Sequence, residues 1–505
     1  MRGALMVCGT TSDAGKSFVA AGLCRLLARQ GVRVAPFKGQ NMANNAAVTG
    51  DGAEIGHAQW VQAVAAGVAP TAAMNPVLLK PTSERTSQVV VEGKVWKELD
   101  ARSFHAAKAS LRPVVLAALA SLRSSHDVVI CEGAGSPAEI NLLDDDLVNL
   151  GLADAAGVPA IVVGNIDRGG VFASIYGTVE LLPDDLRARV AGFVINRLRG
   201  DPSLLGSACS DLAARIGVPC LGVLPMLPGT AFDAEDSLAL DHPDSAPSGS
   251  GDVLDVAAVR WPLVANAGDV DPLRLEPRVH VRWVRSVAEL GRPDLVFLPG
   301  SKSTRADLSW FRSSGLAGAV ERLAVPVVAV CAGLQMAGEL IDDPDGVEGP
   351  PGRSPGLGWL PVTSAFVGDK VLDRPVGRAV DGPGSGSSVG GYRIHHGRVR
   401  PTGAAFADGM APWLVADDDS LLGWHRGHLC GTTLHGLFED DAFRSGVLGW
   451  AAAQSGKQWS PSGVSFAAAR LSRLDAIADA LETHLDMGAV TRIISSASSS
   501  KDTTP

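Results

Sequence analysis

A short apolar run at residues 4–8 feeds directly into Gly9-Thr-Thr-Ser-Asp-Ala-Gly15-Lys16-Ser17, and an Ala/Leu-rich stretch over 17–30 follows. A buried strand that passes through such a loop into a helix belongs at the carboxyl edge of a parallel sheet, where ligands bind. Backbone N–H groups of the loop and the helix N-terminus form an anion cradle, Lys16 adds charge, and Ser17 offers an oxygen to Mg²⁺. Gly9, Thr10, Asp13 and Gly15 complete the phosphate-binding loop. The first glycine stands one residue earlier than in G-x-x-x-x-G-K-[ST], with Thr10 in its usual place. The context predicts nucleotide binding, with Mg²⁺ beside the phosphates.

The rest of the chain fits an α/β fold. Buried strands are expected at 4–8, 33–37, 128–131, 160–163 and 191–195, with helices at 17–30, 56–67 and 103–124. Strands alternating with helices mean a parallel sheet with helices on both faces. A Pro/Gly/Ser-rich stretch at 241–252 reads as a linker. A second α/β pattern then begins with strands at 253–259, 280–284, 295–298 and 327–330. The expected organisation is a nucleotide-binding domain at 1–240, a second domain at 253–486 and a disordered tail at 487–505. The glycine-rich segment 381–391 reads as a mobile surface loop.

Mg²⁺ also needs carboxylates near the ends of neighbouring strands. Glu132 ends the apolar run 128–131 and is followed by Gly-Ala-Gly, and Asp51 lies in Gly50-Asp51-Gly52. Both are candidates to join Ser17.

The segments Phe37-Lys-Gly-Gln-Asn-Met-Ala-Asn-Asn45, Met74-Asn-Pro-Val-Leu-Leu-Lys-Pro81, Glu132-Gly-Ala-Gly-Ser-Pro-Ala-Glu-Ile-Asn-Leu142 and Asn165-Ile-Asp-Arg-Gly-Gly-Val-Phe172 are more specific. With the loop they resemble the dethiobiotin synthetase-like ATPases and, within them, the cobyric acid synthase family of cobalamin biosynthesis. The resemblance runs over about residues 3–486. It implies ATP- and glutamine-dependent amidation of the b, d, e and g carboxylates of adenosylcobyrinic acid a,c-diamide, a corrinoid. It further implies that Asn196 contacts adenine, and that Lys38, Lys80, Asn141 and Asp146 face the corrinoid or its phosphorylated carboxylate.

In the second half, the strand at 327–330 leads to Cys331-Ala-Gly333-Leu-Gln335. A cysteine on a sharp strand-to-helix turn is exposed to the helix N-terminus, which favours thiolate and supplies oxyanion-binding amides. It needs a histidine base from elsewhere, and His435 in Thr432-Thr-Leu-His435-Gly-Leu-Phe-Glu439 follows a short apolar strand. This pairing resembles the class I glutamine amidotransferases, with Gly300 in Leu298-Pro-Gly300-Ser301 and Gly333 as their oxyanion region. That class carries glutamate two residues after the histidine. Leu437 stands there instead, so a Cys331–His435 dyad is expected, with Glu439 as a candidate orienter. His395 and His396 read as structural or as lining a domain interface.

Composition excludes other classes. The chain has 505 residues, net charge −10 and no long basic run, which disfavours nucleic acid as a partner. Its apolar stretches fall short of the ~20 residues of a membrane span. Seven scattered cysteines without a C-x-x-C pair point to a reducing, cytoplasmic compartment. The oligomeric state is left open. Three rival readings are an a,c-diamide synthase of the same two-domain type, another ATP-dependent carboxylate amidase such as that of cell-wall lipid amidation, and an ATP-dependent switch of the partitioning-ATPase type. The switch needs neither Cys331 nor His435.

Overall fold

The computed structural model describes residues 1–83, 85–227, 252–403, 406 and 408–497. Apart from Asp252, the expected linker at 241–252 lies outside the described residues. The first sheet runs Cys220–Pro225, Val190–Leu198, Ala160–Asn165, Gly3–Gly9, Val128–Glu132 and Val34–Phe37. All its pairs are parallel. Leu5 and Val7 face one side, packing with Val19 and Leu23 of helix Lys16–Arg29. Ala4, Met6 and Cys8 face the other, with Leu111 and Val115 of helix Ala101–Ser125. Alternation along one buried strand thus fills both helical layers. The edge strand Cys220–Pro225 is only half buried, although its sequence CLGVLP carries no polar side chain.

A smaller four-stranded sheet, Gln40–Met42, Val77–Pro81, Thr86–Val91 and Lys94–Asp100, stands beside the first. The second half is built on nine strands. Val279–Val284, Leu254–Val259, Leu295–Leu298, Val327–Val330 and Leu429–Thr432 pair in parallel. The sheet then continues antiparallel through Leu421–Arg426, Ala411–Ala416, Val376–Ala379 and Ser388–Gly390.

Two expectations are corrected here. Residues 487–496 are not a disordered tail: Met487–Ser496 is a helix whose Val490 and Ile494 are buried among Leu5, Val7 and Val19. The helix before it, Phe466–His484, lays Ile477 and Leu481 against Gly22, so the chain's end closes over the first sheet. Residues 498–505 lie outside the described residues. Segment 381–391 is also built into the fold, not loose on its surface. Ser388–Gly390 pairs with Val376–Ala379, and Trp413 Nε1 donates to Pro383 O at 2.8 Å. Gly384 serves close packing, since a Cβ there would meet Phe443 at 2.8 Å.

The halves meet across a small apolar patch of Ala46, Val48, Leu78, Val90 and Ile394. Beside it Glu54 Oε1 takes Lys80 Nζ and Oε2 takes Lys370 Nζ, each at 2.6 Å, with all three side chains buried. The two lysines hold the Glu54 carboxyl far below its usual range against the opposing effect of burial. Among the described residues, no helix is long and apolar enough to cross a membrane. The seven cysteines are all free.

Candidate active sites

The phosphate loop sits where its strand predicts. Helix Lys16–Arg29 begins after Gly15, whose φ of 98° is left-handed. A Cβ at Gly15 would lie 2.0 Å from Asn196 Nδ2, so both backbone conformation and space require glycine. Asn196 donates to Ala14 O at 3.1 Å from strand Val190–Leu198, the second strand over in the sheet. Lys16 Nζ donates to Thr11 O, Ser12 O and Gly135 O at 2.8, 3.2 and 3.0 Å. Thr10 N–H donates to Val163 O at 2.9 Å, and Asp13 pairs with Arg168 at 2.7 Å. Glu132 is opposite Val7 in register, and its Oε1 accepts from Ser17 Oγ and Lys38 Nζ, both at 2.8 Å. Its Oε2 accepts from Gln62 Nε2.

Lys16, Ser17, Lys38, Glu132 and Asn196 therefore converge at one carboxyl edge. Gln62 joins them without having been foreseen; it lies on helix His57–Ala66, which buries Gln59 and Gln62 beside its apolar residues. Four expected residues do not join. Asp51 is exposed and accepts from Thr49 in a hairpin turn whose Gly52 faces Leu372 of the second half. Glycines beside an acid mark a turn here, not a metal site. Asp146 caps its own loop, accepting from Val148, Asn149 and Gly151 amides at 3.0, 2.9 and 2.8 Å. Lys80 is in the interface with Glu54, away from Glu132. Asn141 is exposed. The hydroxyl of Ser17 beside the Glu132 carboxylate still suits Mg²⁺, which prefers hard oxygens and takes most of its ligands from phosphate and water.

The second site forms because Val327–Val330 and Leu429–Thr432 are adjacent parallel strands, with Val330 opposite Thr432. Cys331 follows one and His435 the other, at the same edge. Cys331 has φ 54°, a strained elbow for a residue with a side chain. It is fixed by its N–H to Thr432 O at 2.7 Å. His435 is stacked on Tyr392 at 5.4 Å and is fully buried. Its Nδ1 donates to Asp269 Oδ2 at 2.7 Å, while Asp269 Oδ1 accepts from Gly436 N–H at 2.8 Å. Burial opposes its charge, but Asp269 and the Cys331 sulfur outweigh that and push the imidazole up to about 10.

The expected dyad is thus corrected to a triad. Asp269 reaches His435 from 166 positions upstream, where no local motif announces it; it is one of two acids, with Asp255, in the largely apolar stretch 253–270. Glu439 is not the orienter, because it pairs with Arg470 at 2.8 Å. Gly333 is not an oxyanion donor either: its N–H donates to Pro299 O at 3.2 Å. Its bareness serves packing, since a Cβ would come within 2.3 Å of Leu298 O. Gly300 lies against the imidazole, where a Cβ would be 3.0 Å from His435 Cε1.

The cavity beside Cys331 is lined by Lys80, Lys302, Gln335, Lys370, His395 and His396. Burial and the neighbouring Lys80 and Lys302 cations bring Lys370 down to about 7. Burial likewise brings His395 and His396 down to about 3, so both are neutral. Their Nδ1 atoms meet the carbonyls of Gly397 and Val367 at 2.8 and 3.1 Å, which fixes the proton on Nδ1. Each Nε2 is then a lone-pair acceptor, and among the described residues neither has a partner.

A phosphate-binding edge and a Cys–His–Asp edge in one chain define a glutamine-dependent, ATP-using amidating ligase. Residues 5–238 match the CobQ/CobB/MinD/ParA nucleotide binding domain, and residues 255–443 match the CobB/CobQ-like glutamine amidotransferase domain. The cobyric acid synthase of Rhodococcus jostii is 50% identical over 97% of this chain and 95% of its own. That of Nocardia farcinica is 49% identical over 98% and 97%, and that of Halorhodospira halophila 48% over 96% and 96%. A solved glutamine amidotransferase aligns at 16% identity and a TM-score of 0.31, covering 40% of this chain and 98% of that one. The chain belongs to the cobyric acid synthase family.

Proposed function

We propose that this chain amidates the b, d, e and g carboxylates of adenosylcobyrinic acid a,c-diamide in the cytoplasm, each with one ATP and one glutamine. The observation that carries the reading is that both half-reactions have their side chains assembled within one chain. A carboxylate resists ammonia at neutral pH because its leaving group would be oxide. Transfer of the γ-phosphoryl of ATP gives an acyl phosphate that ammonia can displace. Lys16 and the loop amides hold the phosphates, Asn196 contacts adenine, and Lys38 meets the carboxylate under attack. Mg²⁺, held by Ser17 and Glu132, would neutralise phosphate charge.

At the other site His435, oriented by Asp269, takes the proton of the Cys331 thiol as the sulfur attacks. Sulfur attacks the glutamine side-chain amide, His435 gives its proton to the departing nitrogen, and Gly300 donates to the oxyanion. Water then attacks the thioester, passing its proton to His435, and frees glutamate. Released ammonia must stay unprotonated. The Nε2 acceptors of His395 and His396 suit its N–H groups, and the cations of Lys80 and Lys302 oppose its conversion to ammonium. Buried Asn41, Gln59 and Gln62 then offer polar contacts toward Glu132.

Incubation with the corrinoid, ATP and glutamine tests this by mass. The corrinoid should lose mass stepwise as each hydroxyl is replaced by NH₂, with one glutamate and one ADP per step. Turnover of ATP and glutamine with an unchanged corrinoid would reject the substrate.

A further inference from the structure

The two reaction centres lie in different halves, yet a series of hydrogen bonds joins them. Gln62, which donates to Glu132, belongs to helix His57–Ala66. The first amide of that helix, His57 N–H, donates to Asn45 O at 3.1 Å. Asn45 then reaches into the second half, where its Oδ1 accepts from Ala267 N–H at 3.2 Å. In return, Ala46 N–H donates to Asn266 Oδ1 at 3.0 Å. Asn266 is in the left-handed region at φ 54° and precedes the 3₁₀ segment Ala267–Leu275. Asp269 N–H donates to Asn266 O at 3.1 Å, and Asp269 grips His435. Asn45, Asn266 and Asp269 are all buried, so these bonds do not exchange freely with water.

Thioester chemistry on glutamine requires no group from the nucleotide-binding half. That half nonetheless sets the position of the turn that carries Asp269, through Asn45 Oδ1 on the Ala267 amide and Asn266 Oδ1 on the Ala46 amide. We propose that Asn45 is a positioning residue for the glutaminase, acting through the Ala267 amide and the turn that carries Asp269 on His435. Glutamine hydrolysis then depends on the first half being in place around helix His57–Ala66, which also carries Gln62 to Glu132. The purpose of such a link rests on the amidase reading; its test needs only glutamine hydrolysis.

The experiment compares the full-length chain with Asn45→Leu, which keeps bulk but loses the acceptor, and Asn45→Asp, which keeps an oxygen in place. Glutamate release should fall about tenfold in kcat for Asn45→Leu with KM for glutamine unchanged, and largely return in Asn45→Asp. Amidation driven by added ammonium should persist in both. An unchanged kcat in Asn45→Leu overturns the proposal, as does equal loss in both variants. A KM effect alone, or loss of the ammonium-driven reaction, assigns Asn45 to substrate binding or to the synthetase half and also overturns it. If Asn45→Leu does not fold, Asn45→Ala carries the same comparison.

Discussion

Asp269 Oδ2 lies 2.7 Å from His435 Nδ1, so the base that serves Cys331 is oriented by a carboxylate from the opposite end of its domain. In Asp269→Asn the imidazole loses the charge that holds its tautomer. Glutaminase kcat should fall roughly 10³–10⁴-fold, while ammonium-driven amidation continues. Glutamate release in the variant checks it.

The same contact makes stability depend on pH. The folded His435 pKa, about 10, lies above the ordinary 6.5, so its contribution is fully present below about 6.5 and is lost as pH rises toward 10. The difference in Tm between the native chain and Asp269→Asn should therefore shrink across that window. Calorimetry at a series of pH values measures it, and a constant difference contradicts the assignment.

Glu54 neutralises two buried lysines from different halves. Glu54→Gln leaves them without a counter-charge and should cost about 3–5 kcal/mol. Adding Lys370→Met should restore part of that, a non-additivity that denaturant unfolding of the single and double variants reveals.

Chelation separates the two chemistries. EDTA should abolish ADP formation, because phosphate charge loses its counter-ion at Ser17 and Glu132, yet leave glutamate release from Cys331 measurable. Lys16→Met should act likewise, lowering ADP formation by about a thousandfold. Parallel loss of glutamate release in either case would mean that the sites are not chemically separate.

Much of this was legible in the residues, and the exceptions share a cause. Lys16, Ser17, Glu132, Cys331 and His435 each end or follow a buried parallel strand, and such strands read as short apolar runs. The small sheet was not legible: Lys94–Asp100 is exposed along nearly its whole length, so burial imposes no pattern on it. Asp269 lies in a 3₁₀ segment with Pro272 inside, where neither a helical nor a strand period applies. The placement of Met487–Ser496 was missed because its apolar face, Val490 and Ile494, is complementary to a surface nearly the whole chain away. Lys80 and Asp51 were assigned to the wrong site for a related reason. A residue near a strand end or a glycine pair looks the same whether it meets a ligand or the other half of the molecule.

The central claim is that Cys331 makes ammonia for a second site that uses it. Cys331→Ser, assayed with ATP and the corrinoid, tests this most directly. The account predicts no amidation from glutamine and undiminished amidation, by product mass, from added ammonium salt. Failure with both nitrogen sources, in a variant that still folds and binds ATP, would contradict it, as would continued use of glutamine.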